Sequence, residues 1–417
     1  MEGLFLKDGA PATKISYYHL LAFMASLPFD FFYSHVILAS FCVHTLIHLN
    51  KKDIKPVFTV NNLLLQSVFF VTLLSTIYTI NQPEAFNQWG RHITILLFPI
   101  LFCLSPFDLK KYRNQLLLGF SLICTAVVLY LYVDAFRTIR HYNLPLRNIV
   151  SAAFTNQNFA DPIEMHATFF SLQLVIALVY LLSELLKKQS TLNKVIYAIC
   201  IAVLLAGIIQ LSSKSIFAAL FLIINLGVPY FLLRDKKRLR FVTVAVSISV
   251  LVIIALFTTG NFRVRLVNDL KYDLALTSTD KAFDSRLDRW RTAAELISKS
   301  PVIGYGAGSE LGLLHERFYV KKYYNSFLNN LNAHNEYLSM LLKSGMIGLL
   351  IYLTTLGFGF KQAWQRKDLL FLTFMLLVAT VSLSENILDV DKGIIFYAFF
   401  FSFFIFSGDK KAVTTAP

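Results

Sequence analysis

Runs of almost unbroken apolar residues return along this chain at short intervals, and they decide what it can fold into. Examples are "VVLYLYV" at 127–133, "LQLVIALVYLL" at 172–182 and "VAVSISVLVIIALF" at 244–257. Each lies in a stretch of about 20 residues, the length an α-helix needs to cross the ~30 Å hydrocarbon core of a bilayer. A helix on the surface of a soluble domain shows polar residues every three or four positions, and these runs do not. Only 15% of the 417 residues are charged, against about 25% in soluble chains. In lipid every backbone polar group needs an internal partner, which helices supply. The expectation is an all-α integral membrane protein forming one polytopic domain over 1–417.

Spans are predicted near 15–32, 34–49, 57–80, 89–106, 114–135, 163–184, 194–211, 215–233, 240–259, 335–360, 369–387 and 392–408, or about twelve crossings. Their connectors alternate in charge. One set holds Lys51, Lys52 and Lys55; Lys110, Lys111 and Arg113; Lys187, Lys188 and Lys194; "RDKKRLR" at 234–240; Lys361, Arg366 and Lys367; and Lys410 and Lys411. Basic connectors stay in the cytoplasm, so both termini are expected there. The net charge of +14 then reflects topology and is not the footprint of a nucleic-acid partner. The first residues lack the apolar core and cleavage site of a signal peptide, and the first span is expected to act as an uncleaved insertion signal. Cys42, Cys103, Cys124 and Cys200 all fall in apolar runs without zinc or redox spacing, as small buried residues do.

The other connectors, 81–88, 136–162, 260–334 and 388–391, face outward. Segment 136–162 retains Arg137, Arg140 and Arg147 on that side, either to meet a bound anion or to meet lipid headgroups. Segment 260–334 has about 75 residues. Idle loops rarely exceed ~15 residues, so this one is expected to be a folded, functional periplasmic loop.

Within it lies "DSRLDRWRTAAELISKSPVIGYGAGS". Ser285 and Asp288 have capping-box spacing. Leu287, Trp290, Ala294 and Ile297 recur as one apolar helix face. Arg286 and Arg289 share another face, where they either form a solvated, salt-bridged surface with Asp284, Asp288 and Glu295 or meet an anion. Pro301 ends the helix, and Gly304, Gly306 and Gly308 follow. Their spacing is not that of a dinucleotide-binding loop.

At the loop's end, "NAHNEYLSMLLKSGMIGLL" places His334 where water gives way to a span. A helix start disfavours a second positive charge, so the imidazole is expected to stay neutral and basic; the alternative is an interfacial histidine that only hydrogen-bonds. Lys214, in "QLSSKS", stands between two apolar runs near their outer ends, and such a cation usually marks a site. Glu164 and His166 open another span, and Glu385, Asp389 and Asp391 flank the last outer turn.

Over roughly 160–400, these segments together resemble the bacterial O-antigen ligase and O-antigen polymerase superfamily. The resemblance rests on Arg286 four residues before Trp290, then Pro301 with Gly304 and Gly306, then His334–Asn335 followed by Leu338 and Gly345. "MHATFFSLQL" from Met165 looks like the family's His-Pro-x-x-Phe-Ser stretch with Ala167 in place of proline, and "LSSKS" looks like its Ser-Arg segment with Lys214 in place of arginine.

The resemblance implies a GT-C-like membrane glycosyltransferase in a bacterial inner membrane, acting at the periplasmic face. Its donor would be a glycan on undecaprenyl diphosphate. Its acceptor would be a lipid A–core sugar in the ligase branch, or another repeat unit in the polymerase branch. It also implies an inverting reaction with no metal, nucleotide sugar or other cofactor. His334 would be the general base. Arg286 and Lys214, with Arg289, would meet the diphosphate. The residues themselves, apart from the resemblance, offer Asn335, Glu336, His166, Arg147 and Glu385 as candidate supporting groups. A reading of another class is a transporter or flippase, which would gather polar residues at the bilayer midplane. Here Gln66, Gln173 and Asn225 are isolated within their spans.

Overall fold

The computed structural model describes residues 6, 10–49, 55–105, 107–258, 260–273 and 284–408. Lys51, Lys52, Lys410, Lys411 and positions 274–283 of the outer loop lie outside the described residues. The described residues are helical without strands. In chain order the main helices are α1 (Pro11–Ser26), α2 (Phe31–Ile47), α3 (Val60–Ser75), α4 (Gln82–Leu104), α5 (Leu109–His141), α6 (Ala167–Leu185) and α7 (Thr191–Leu211). They continue with α8 (Lys214–Leu232), α9 (Asp235–Thr258), α10 (Arg286–Ile297), α11 (Glu310–Lys321), α12 (Glu336–Arg366), α13 (Leu369–Val381) and α14 (Asp391–Ser407).

A helix occupies each segment predicted as a span. Among the described residues, seven are long and apolar enough to cross a membrane: α3 with the turn that follows it, α5, α6, α7, α8, α9 and α12. The others are shorter or more polar. The 13 residues of α13 reach only about 20 Å at 1.5 Å per residue, and α4 carries Glu84 and Arg91 in its first half.

The centre of the bundle is α6, whose apolar window is 89% buried. It packs against α5, α7 and α13, while α4 joins α3 to α14. Phenylalanines of α14 fill the space between them: Phe399 meets Phe23 and Phe98, and Phe404 meets Phe371 and Phe374. By contrast α9 is only 6% buried. Arg113 and Asp368 pair at 2.7 Å at the end of the bundle remote from His334.

The described residues from 284 to the start of α12 pack on one another. Here α10 and α11 close over a small apolar core of Ala293, Leu296, Leu314, Phe318, Ala333 and Leu342. The capping box at the start of α10 forms as expected: Ser285 accepts the Asp288 N–H, and Asp288 accepts the Ser285 N–H at 3.0 Å. The buried side of α10 differs from the predicted one. Arg289, Thr292, Ala293 and Leu296 are buried, Trp290 is only partly covered and Ala294 is exposed. The helix turns this way because α11 packs on one flank and leaves Trp290 and Ala294 to line a groove.

The glycines after Pro301 have a specific use. The run of α12 is broken at Gly345, at φ +60 and ψ −160, which interrupts its hydrogen-bond ladder. The segment Pro301–Gly306 fits into the break. The N–H groups of Tyr305 and Gly306 donate to the carbonyls of Leu342 and Lys343 at 2.9 and 2.8 Å. The N–H groups of Met346 and Ile347 donate back to Pro301 and Val302 at 2.8 and 3.3 Å. A Cβ on Gly345 would collide with the Val302 carbonyl, and one on Gly306 with the backbone of Thr79. A non-helical break in an apolar helix is tolerated because protein groups satisfy it.

Candidate active site

Three elements meet at the start of α12. Asn335 caps that helix by accepting the Leu338 N–H, and His334 precedes the cap at φ +47. This left-handed turn swings the imidazole off the helix axis toward the connection between α13 and α14. There its Nδ1 lies 3.1 Å from Glu385 Oε2. The side chains remain 28% and 17% exposed, so the pair is ordered yet reachable. Asn335 satisfies the helix, and Glu385 is the charged group against the ring. A carboxylate only accepts hydrogen bonds, so the ring nitrogen facing Glu385, Nδ1, is the donor of this contact. Burial alone would push the Glu385 carboxyl up. The hydrogen bond and charge of His334, with smaller pulls from His166 and Arg286, override burial and hold it below its ordinary value.

Arg286 stands beside this pair. Its Nη1 donates to the Ser384 carbonyl at 3.1 Å, next to Glu385. Its buried Nε–H has no partner among the described residues. Arg289 is 6% exposed, which rules out a solvated face for it. It reaches the Ser326 hydroxyl only at 3.5 Å, and its Nε–H is likewise unmatched among the described residues. Burial, and then the Arg286 charge, push its guanidinium down from the ordinary value. Two guanidiniums with unmatched donors, held side by side, suit an anion with several oxygens.

Lys214 opens α8 and pairs with Asp273 at 2.9 Å, both groups being a little over a quarter exposed. Asp273 also acts on Arg289, so this pair borders the same region. His166 immediately precedes α6 with its ring against Phe169 and is close enough to act on Glu385. Glu336 is turned inward, where Oε2 accepts the Leu388 N–H at 2.8 Å. Arg147 is exposed on a short turn at Leu146–Val150, and no contact among the described residues joins it to His334.

A groove of about 520 Å³ runs beside Asn335 between α10 and the start of α12, lined by Trp290, Arg291, Ala294, Tyr337, Leu338 and Leu383. The polar tips of its aromatics are already engaged. Trp290 Nε1–H donates to the Ala333 carbonyl and the Tyr337 hydroxyl to the Ala379 carbonyl, both at 2.9 Å. Ring faces are left to line the groove, which suits sugar rings or lipid.

Sequence reasoning missed the polar layer beneath the site. Lys343, buried in the first half of α12, pairs with Asp389 at 2.6 Å. Asp389 also accepts from Gln88 at 3.0 Å and from Asn386 at 2.9 Å. Burial would raise the Asp389 carboxyl, but the Lys343 charge and hydrogen bond override it and hold the group down at about 2. Glu310, at the start of α11, is buried against Asn386, Ser339 and the Ala333 N–H. A signal for Lys343 was present: a lysine inside an apolar span needs a partner.

Two comparisons with known proteins bear on this site. Residues 198–353 match the model of a family described as O-antigen ligase. That stretch contains Lys214, Arg286, Arg289 and His334. It supports the resemblance to the O-antigen ligase-like superfamily found in the motifs. An uncharacterised protein of Haemophilus influenzae (strain ATCC 51907 / DSM 11121 / KW20 / Rd) is 25% identical over 145 residues. The aligned stretch is 33% of this chain and 36% of that protein.

Proposed function

From an O-antigen ligase-like segment built around His334, we propose that the protein is an O-antigen ligase-like glycosyltransferase of a bacterial inner membrane. It moves a glycan from undecaprenyl diphosphate to a sugar hydroxyl of lipid A–core at the periplasmic face. The observation that carries this reading is the His334–Glu385 pair at 3.1 Å beside the unmatched guanidinium donors of Arg286 and Arg289.

In this reading the acceptor hydroxyl gives its proton to His334 Nε2 as its oxygen attacks the anomeric carbon. The bond from that carbon to the diphosphate oxygen breaks, and undecaprenyl diphosphate leaves with the electron pair. Attack opposite the leaving group inverts the anomeric centre. Glu385 stabilises the imidazolium that forms. Arg286 and Arg289 meet the charge growing on the diphosphate, the task that fixed cations perform when no metal does. Lys214 adds a point charge, without the two-pronged grip of an arginine.

The main alternative is the polymerase, which uses the same donor and a second repeat unit as acceptor. A transporter would need polar groups running through the bundle. Lys343, His92, Gln88 and Thr72 cluster instead around the His334 end of α12, α4 and α3, which supports chemistry at one face.

The test is deletion of the gene in its source organism followed by lipopolysaccharide analysis. Loss of all polymer from lipid A–core supports the ligase. A single capped repeat supports the polymerase. An unchanged profile overturns both.

A further inference from the structure

His334 adopts a backbone conformation uncommon for a non-glycine residue, with φ +47, and such outliers persist only where their surroundings over-determine them. Four side chains hold the backbone around it. Asn332 Oδ1 accepts the His334 N–H at 2.9 Å. Trp290 Nε1–H donates to the Ala333 carbonyl at 2.9 Å. Glu310 Oε1 accepts the Ala333 N–H at 3.1 Å, and Asn386 Oδ1 accepts the Asn335 N–H at 2.8 Å.

The last two belong to one unit. The Asn386 amide donates to Glu310 Oε1 and Oε2 at 3.1 and 3.2 Å and to Asp389 Oδ2 at 2.9 Å. The Ser339 hydroxyl, one turn into α12, closes the ring by donating to Glu310 Oε2. Glu310 is 4% exposed and Asn386 2% exposed, so neither meets solvent. A buried carboxylate is a costly choice for a joint that only fills space. Here it accepts donors from α12, from the residue preceding His334 and from the turn that carries Glu385.

We infer that Glu310 is a positioning residue for His334: it holds the Ala333 N–H directly and the Asn335 N–H through Asn386, and so fixes where the imidazole points between Glu385 and the substrate. This rests on the reading of His334 as the base. The same unit ties the His334 loop to the turn bearing Glu385, so the hydrogen bond between the two side chains is set from beneath by groups that never touch substrate.

The test is a double-mutant cycle in purified protein with a lipid-linked glycan donor. It uses Glu310→Gln, His334→Ala and the double variant, with melting temperature measured on each. Glu310→Gln keeps the shape but replaces one acceptor oxygen with a donor. It is expected to lower kcat by up to about 10²-fold through mispositioning, with donor KM unchanged within about twofold. In the His334→Ala background the same change should remove almost nothing further, because residues acting through one another are non-additive. A loss of equal factor in both backgrounds would make Glu310 a general structural residue and overturn the inference while leaving His334 as the base. Near-normal transfer by His334→Ala would remove the base assignment and the inference together. If Glu310→Gln does not accumulate as folded protein, Asn386→Ala takes its place in the cycle, with the same outcomes deciding.

Discussion

His334 Nδ1 and Glu385 Oε2 lie 3.1 Å apart, which joins the loop before α12 to the turn between α13 and α14. The pairing holds the ring through Nδ1, and in the proposed reaction Nε2 takes the acceptor's proton. His334→Gln is expected to insert and bind donor, yet transfer glycan at least ~10²-fold more slowly, since an amide cannot take the proton. Glu385→Gln keeps a hydrogen-bond acceptor but loses the charge, and is expected to cost about 10- to 100-fold. Single-turnover transfer with purified variants measures both. Near-normal rates for His334→Gln would move the base elsewhere, with Glu385 the next candidate.

Lys214 stands where the resembled family has arginine, and it pairs with Asp273 at 2.9 Å. A partly exposed pair of this kind contributes about 0–1 kcal/mol to stability, so Lys214→Ala is expected to leave the melting temperature almost unchanged. Its effect should appear in catalysis. Lys214→Arg should keep much of the activity, and Lys214→Ala should lose most of it. Full activity in the alanine variant would reduce Lys214 to a surface ion pair.

The helices were legible because the length and composition a membrane span needs write themselves as long apolar runs, as in α6 and α7. The capping box of Ser285 and Asp288 was legible because it is local. The polar layer was not. Glu310 and Asn386 are 76 positions apart, and nothing local marks them as partners. The docking of Pro301–Gly306 into the break at Gly345 was hidden for the same reason: both glycine signals stood in the sequence, but their pairing is tertiary. The burial of Arg289 escaped a periodicity argument, which treats charge as exposure. The Glu385 contact was also beyond reach, because His334 leaves the helical path before α12 begins.

The Asp389 carboxyl sits at about 2, down from an ordinary 3.8, because the Lys343 charge and hydrogen bond outweigh its burial. A carboxyl depressed on folding contributes stability above its unfolded value and loses it as pH falls through the folded one. The contribution should therefore be complete above about pH 4 and fade toward pH 2. Melting curves of wild type and Asp389→Asn in detergent should differ most at neutral pH and converge on acidification below pH 4. A gap that stays constant down to pH 2.5 would show that the pair does not titrate in this way.

Gly345 interrupts α12 at φ +60 and ψ −160, a combination that side chains rarely tolerate. The break frees the Leu342 and Lys343 carbonyls for Tyr305 and Gly306 and lets Pro301–Gly306 lie against the helix. Substitution to alanine meets two obstacles. The backbone conformation itself costs about 1–3 kcal/mol, and the new Cβ would run into the Val302 carbonyl. Gly345→Ala is expected to lower the melting temperature and to depress transfer, because the displaced segment leads directly into α11 and Glu310. Gly357, further along the same helix, has open space where a Cβ would go. Gly357→Ala should therefore leave both measurements near wild type and serves as the control for helix substitution as such. If Gly345→Ala melts and transfers like Gly357→Ala, the break in α12 does not hold the site together.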